Sequence, residues 1–172
     1  MNMKRFVSIV CVLTMCLALM GCQSGKDFQT KDITVSQLQE KMKKKDTFVF
    51  MVERDGCQFC KKLNAYIKKT KGEHKNITVY VIDSTDFGFQ KETEDADHLI
   101  STTDDGKALL KITPYFMYTP ALYAVKKGKV KQAAIGFNDS DKTVALWKNT
   151  SQIDFEQAEY EDFWDFIENN AQ

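Results

Sequence analysis

One stretch limits the possible folds more than any other. The β-forming run Thr47-Phe48-Val49-Phe50-Met51-Val52 ends at the charged Glu53-Arg54-Asp55 and Gly56, and Cys57-Gln58-Phe59-Cys60 follows at once. The apolar run reads as a buried strand. Beyond it Cys60, Leu63 and Ile67 recur at helical spacing, with lysines at 61, 62, 68 and 69 on the other faces, so an amphipathic helix follows the strand directly. Cysteines three apart at a helix start share a face, with Cβ atoms about 5–6 Å apart, near the range a disulfide can close. A thiol in the first turn meets unpaired backbone N–H groups and the positive end of the helix dipole, both of which favour thiolate. Cys57 is therefore the better nucleophile, and Cys60, one turn deeper, the better resolving partner.

The N-terminus bears on which cysteines remain for chemistry. Lys4-Arg5 precedes fifteen mainly apolar residues, Phe6 to Met20, and then Gly21-Cys22. A spanning helix needs about 20 apolar residues, and this shorter run suits a cleaved export signal. Leu19-Met20-Gly21-Cys22 resembles the lipobox of bacterial lipoproteins, although Met20 stands where a small residue is usual. The resemblance implies removal of residues 1–21 and a lipid on Cys22; an ordinary signal peptide cut nearby is the alternative. Residues 22–31 then read as a lipidated cysteine and polar tether, and residues 32–172 as one domain, anchored to the outer face of the cell membrane or, on the alternative, secreted.

Cysteine arithmetic follows. Of five cysteines, Cys11 and Cys16 leave with the signal and the lipid occupies Cys22, so Cys57 and Cys60 alone remain. An exported chain with a single close thiol pair is better explained by redox chemistry than by stapling. A zinc half-site would need two more ligands, and only His74 and His98 are on offer, both read as surface residues. No metal and no cofactor is expected. The 24 basic residues match 24 acidic ones, and loss of Lys4 and Arg5 leaves a slight acidic excess, so no nucleic-acid partner is expected.

Along the rest of the chain, Thr34 and Gln37 have capping-box spacing ahead of a helix over about 35–45. Ile77 to Asp83 forms a second buried strand, completing a βαβ unit with the cysteine helix between parallel strands. Ser84 to Asp105 is acidic and reads as a solvated insertion, or as a partner-binding lid. Gly106 to Ile112 makes a short helix. Leu122 to Ile135 is a hairpin about a Lys-Gly turn, with Pro120 at its entry, where a cis bond would turn the preceding backbone. Asn138 to Gln157 is a second polar stretch without an assigned element. A terminal helix carries Tyr160, Phe163, Trp164 and Ile167 on one face.

The order strand, Cys-x-x-Cys helix, strand, helix, proline-led hairpin, terminal helix resembles the thioredoxin superfamily from about Asp32 to Asn170. The layout is also similar to the bacteriocin accessory proteins of Gram-positive bacteria. The resemblance implies an α/β thioredoxin-like fold: a central mixed sheet of about four to five strands flanked by helices, with two polar insertions. It implies that Cys57 forms mixed disulfides with substrate proteins, that Cys60 resolves them, and that Thr119, turned by a cis Pro120, pairs with extended substrate backbone.

Departures from the family bear on direction. Gly56 stands in place of the tryptophan of reducing thioredoxins, Gln58-Phe59 in place of Gly-Pro, and Met51 in place of their buried carboxylate. Glu53 shares Met51's face by strand alternation and is the candidate substitute proton acceptor, or else a surface residue at the strand's exit. The expected activity is a membrane-tethered thiol-disulfide oxidoreductase that forms or isomerises disulfides in exported proteins, reset by an outside redox partner. An extracytoplasmic reductase, or a non-catalytic binding or chaperone module with a structural disulfide, is the alternative.

Overall fold

In the computed structural model, which describes residues 25–171, the apolar run becomes β2 (Phe48–Glu53), buried through its first five residues. An unbroken apolar pattern, in place of alternation, is what burial on both faces requires. Val49 and Met51 point to one side of the sheet with Leu63 and Ile67; Phe48, Phe50 and Val52 point to the other with Val35, Leu38 and Leu109. Helices α1 (Val35–Lys43) and α3 (Asp104–Ile112) cover the second side, and α2 (Gln58–Thr70) and α4 (Phe163–Asn170) the first. The α/β layering and flanking helices are those expected.

The sheet is wider than the four to five strands expected. It has seven, in the order β1-β3-β2-β6-β7-β8-β9. β3 (Thr78–Asp83) lies parallel to β2, and the hairpin of β6 (Ala121–Lys126) and β7 (Lys129–Asn138) joins antiparallel through β6. This central part is the expected βαβ unit and proline-led hairpin. The additions are β1 (Gln29–Asp32), parallel to β3, then β8 (Thr143–Trp147) and β9 (Tyr160–Asp162) beyond β7.

Three further expectations are corrected. The segment read as tether through residue 31 belongs to the domain from at least Phe28, which is buried edge-on against Trp164 at 4.9 Å between ring centroids, ahead of β1. The acidic insertion is partly structured: β4 (Phe89–Lys91) and β5 (Leu99–Ser101) pair into a small hairpin. Ser101 Oγ donates to the Phe87 carbonyl at 2.5 Å and the Thr103 N–H donates to Ser101 Oγ, tying the insertion's two ends. Tyr160 lies on β9, and the terminal helix starts after Asp162, whose carboxylate accepts from the Trp164 and Asp165 N–H groups. The expected signal peptide and Cys22 lie outside the described residues.

Capping fixes where the helices begin. Thr34 and Gln37 form the expected reciprocal capping box at α1, and Thr103 caps α3 through the Gly106 N–H. At α2 the cap is Cys57 itself.

Candidate functional site

Gly56 ends the connection from β2 in the left-handed region, φ +73°, where a side chain would be strained. The chain then enters α2 at Cys57, whose sulfur accepts the Cys60 N–H at 3.0 Å. A helix N-terminus leaves such N–H groups without carbonyl partners, so the sulfur takes the place of a capping oxygen. Cys57 and Cys60 are joined as a disulfide with Cα atoms 5.3 Å apart. Cys57 is 7% exposed and Cys60 3%, so attack from outside meets Cys57 first.

Two anchors hold the cysteine turn against the sheet. The Asp55 N–H donates to Thr85 Oγ1 at 2.8 Å, and the Thr85 N–H donates to the Asp83 carboxylate at 2.9 Å. The Ser84 N–H and hydroxyl both donate to the Glu53 carbonyl at 2.8 Å. The C-terminal ends of β2 and β3 are thereby locked together below the disulfide.

The Thr119-Pro120 peptide bond is cis, and the Thr119 carbonyl oxygen lies 3.3 Å from Cys57 Sγ. The Gly136 N–H donates to the Pro120 carbonyl at 2.8 Å, fixing this loop to β7. The fold thus brings together residues 62 apart in sequence, Cys57 and Thr119.

Glu53 stands on the α2 side of the sheet, the side that also holds Met51, and accepts a hydrogen bond from Asn64 Nδ2 of α2 at 2.8 Å. It is half-buried. Burial pushes its carboxyl above the ordinary range, the Asp32 and Asp83 charges push the same way, and the Asn64 amide opposes them.

Around Cys57 lies an open groove of about 1050 Å³. Its walls include residues of both polar insertions, Phe89 and Leu99 from the β4–β5 hairpin and Phe155 from the second, together with Tyr160 at the start of β9. Phe59, Tyr118, Phe155 and Tyr160 are the exposed large hydrophobic residues among the described ones, and all four line this groove. Arg54, Lys62 and Lys91 face it with Asp139. Sequence reasoning did not foresee these aromatics; the signal was aromatic residues standing where no helical or strand periodicity calls for them, Phe59 between the cysteines and Phe155 inside a polar stretch.

The histidines lie apart from the cysteines' contacts. His74, expected at the surface, is instead largely covered, stacked on Trp164 at 3.6 Å between ring centroids and hydrogen-bonded to Glu168 at 2.6 Å. His98 is exposed and bonded to Asp97 at 2.7 Å.

No protein-family model matches the sequence. No curated protein matches it. Among solved structures it is similar to a chain in the complex of ferredoxin:thioredoxin reductase with thioredoxin f2 (15% identity, TM-score 0.45, 66% of this chain and 87% of that one). It is also similar to spinach chloroplast thioredoxin f, short form (13%, 0.43, 65% and 83%), and to the Malassezia sympodialis thioredoxin Mala s 13 (14%, 0.41, 67% and 86%).

Proposed function

We infer that this chain is a thiol-disulfide oxidoreductase that donates or isomerises disulfides in exported proteins while tethered at the outer face of a membrane through Cys22. The observation that carries the redox reading is the disulfide at the first turn of α2, its outer sulfur set beside the Thr119 carbonyl at the floor of an aromatic groove. The export reading rests on the N-terminal sequence pattern.

In the donating direction a substrate thiolate attacks Cys57 Sγ, the Cys57–Cys60 bond breaks, and Cys60 leaves as a thiolate. The resulting mixed disulfide joins the substrate to Cys57. A second substrate thiolate then attacks the substrate's own sulfur in that bond and expels Cys57. The substrate gains a disulfide, the enzyme holds a dithiol, and the two electrons pass to an outside acceptor that restores the bond. Cys57 leaves well because the Cys60 N–H and the helix end stabilise its negative charge. Glu53, on the α2 side of the sheet, is the proton acceptor or donor for Cys60. The Thr119 carbonyl receives an N–H of extended substrate backbone.

Trapping tests the reading. A Cys60→Ala variant leaves Cys57 able to form mixed disulfides but removes the resolving thiol, so it should accumulate adducts with exported proteins, and Cys57→Ala should not. Absence of adducts would leave the pair as a structural link. A redox titration of the couple sets direction: a potential near the about −270 mV of reducing thioredoxins would overturn the donor role.

A further inference from the structure

Charge in this molecule is segregated along the axis of β2. At the start of β2, two turns pack on each other: the end of α1 into Asp46, and the β6–β7 hairpin turn. The Gly128 N–H donates to the Asp46 carbonyl and the Lys127 N–H to Thr47 Oγ1. Between them these turns carry Lys41, Lys43, Lys44 and Lys45, then Lys126, Lys127, Lys129 and Lys131, against only Glu40 and Asp46. Lys41 pairs with Asp46 at 3.0 Å. The other seven lysines are exposed, and none is ion-paired among the described residues.

At the opposite end of β2, about 20 Å away for six residues of strand, stand the disulfide and the acidic insertion that follows β3. That insertion holds Asp86, Glu92, Glu94, Asp95 and Asp97. An overall balance of 24 basic and 24 acidic residues thus conceals a lysine-rich end and, at the other, an acidic insertion, beside which Arg54, Lys61, Lys62 and Lys91 also stand.

β1 runs parallel to β3 and β3 to β2, with Gln29 level with Thr78 and Val79 level with Val49. The described chain therefore enters the domain at the lysine end. The Lys26 carbonyl and N–H are both bonded to Asn76, in the loop ahead of β3 at that same end. Whatever precedes residue 25 leaves from beside the lysines.

We propose that the lysine end lies against an anionic lipid surface and holds the Cys57 groove facing away from it. Clusters of four to eight lysines beside a membrane-attached segment are attracted to anionic headgroups within about a Debye length, and the anionic insertion is repelled outward by the same field. The proposal rests on the tethered reading for the presence of a membrane and adds to it an orientation: a redox site turned toward arriving substrates and away from the bilayer.

The test is amine footprinting of the full chain in vesicles, with lysine acylation read residue by residue. In vesicles rich in phosphatidylglycerol, acylation of Lys43, Lys44, Lys45, Lys126, Lys127, Lys129 and Lys131 should fall at least threefold relative to vesicles of phosphatidylcholine alone. Lys61 and Lys62, on the cysteine helix, should react equally in both, and 0.5 M salt should abolish the difference. Equal rates in both lipids, or protection of Lys61 and Lys62, would overturn the proposal. So would protection by soluble polyphosphate with none from anionic vesicles, which would assign the patch to a soluble polyanion. Co-flotation of the full chain with the phosphatidylcholine vesicles reports separately on the tether, so a chain that floats but shows equal lysine rates in both lipids overturns the orientation alone, and one that does not float overturns the tether.

Discussion

The Thr119 carbonyl oxygen sits 3.3 Å from the sulfur of Cys57, while the Cys60 N–H approaches that sulfur at 3.0 Å from the helix side. One sulfur is thus addressed by an acceptor on the loop and a donor on the helix. When the disulfide opens, the donor keeps stabilising charge on Cys57, and no equivalent contact exists for Cys60 among the described residues.

The reduced protein should therefore show unequal thiols. At pH 7 and limiting iodoacetamide, Cys57 should be alkylated roughly tenfold faster than Cys60, read by peptide mass spectrometry. Equal labelling would show that the helix end does not activate Cys57.

Glu53 gives a pH signature. Burial and the Asp32 and Asp83 charges raise its carboxyl above the ordinary 4.5. The folded protein therefore holds this proton to a higher pH than the unfolded chain, and stability falls as pH rises from the unfolded value through the folded one. Glu53→Gln keeps the acceptor for Asn64 and removes the charge. It should melt higher than the parent at pH 7, with the gap closing toward pH 4. If Glu53 serves Cys60, the same variant should also flatten the pH profile of mixed-disulfide resolution. A constant gap in melting temperature across this range would show that the carboxyl is not raised.

The exposed aromatics should act on substrates and not on the fold. Replacing Tyr118 and Phe155, which meet edge to face at 5.6 Å, by serine should change stability by less than about 1 kcal/mol. It should slow exchange with an unfolded cysteine-bearing protein roughly 5- to 30-fold, the loss of about 1–2 kcal/mol of contact. Exchange with glutathione disulfide, too small to span the groove, should stay unchanged. Equal slowing with both would place the aromatics in the redox chemistry itself.

Gly128 is a structural counterpart. It lies at φ +73°, and a Cβ there would fall on the Met42 carbonyl oxygen, so neither turn can give without unpacking α1. Gly128→Ala should cost about 1–3 kcal/mol in a denaturant titration. The potential of the distant Cys57–Cys60 couple should be unmoved, because the two sites lie at opposite ends of β2.

The parts legible in the sequence are those whose pattern is strong over several residues. β2 is an unbroken apolar run, α2 a lysine-backed stripe through Cys60, Leu63 and Ile67, and α1 a capping box at Thr34. What stayed hidden has a physical reason in each case. Gln29-Thr30-Lys31-Asp32 is exposed at every position, so no alternation marks it as a strand; the backbone of β3 holds it. Thr143–Trp147 is apolar enough to be a strand, but it sits among turn residues, and its pairing with β7 is interrupted between Ile135 and Asn138. Tyr160 fits the helical spacing of the residues after it, yet Asp162 caps the helix and leaves Tyr160 outside. The cysteine pair and Thr119-Pro120 were readable as residues, whereas the groove depended on two insertions whose tertiary position no local pattern encodes.

The outermost strands carry one more consequence. β1 is four polar residues and β9 is Tyr160-Glu161-Asp162, so each margin of the sheet presents only a short stretch of unpaired backbone that carries charge. Long apolar margins invite other chains to add on and start aggregates. On the function proposed above, polypeptides taken at the groove would not be recruited along the sheet's flanks, and copies of the chain would not add to one another there.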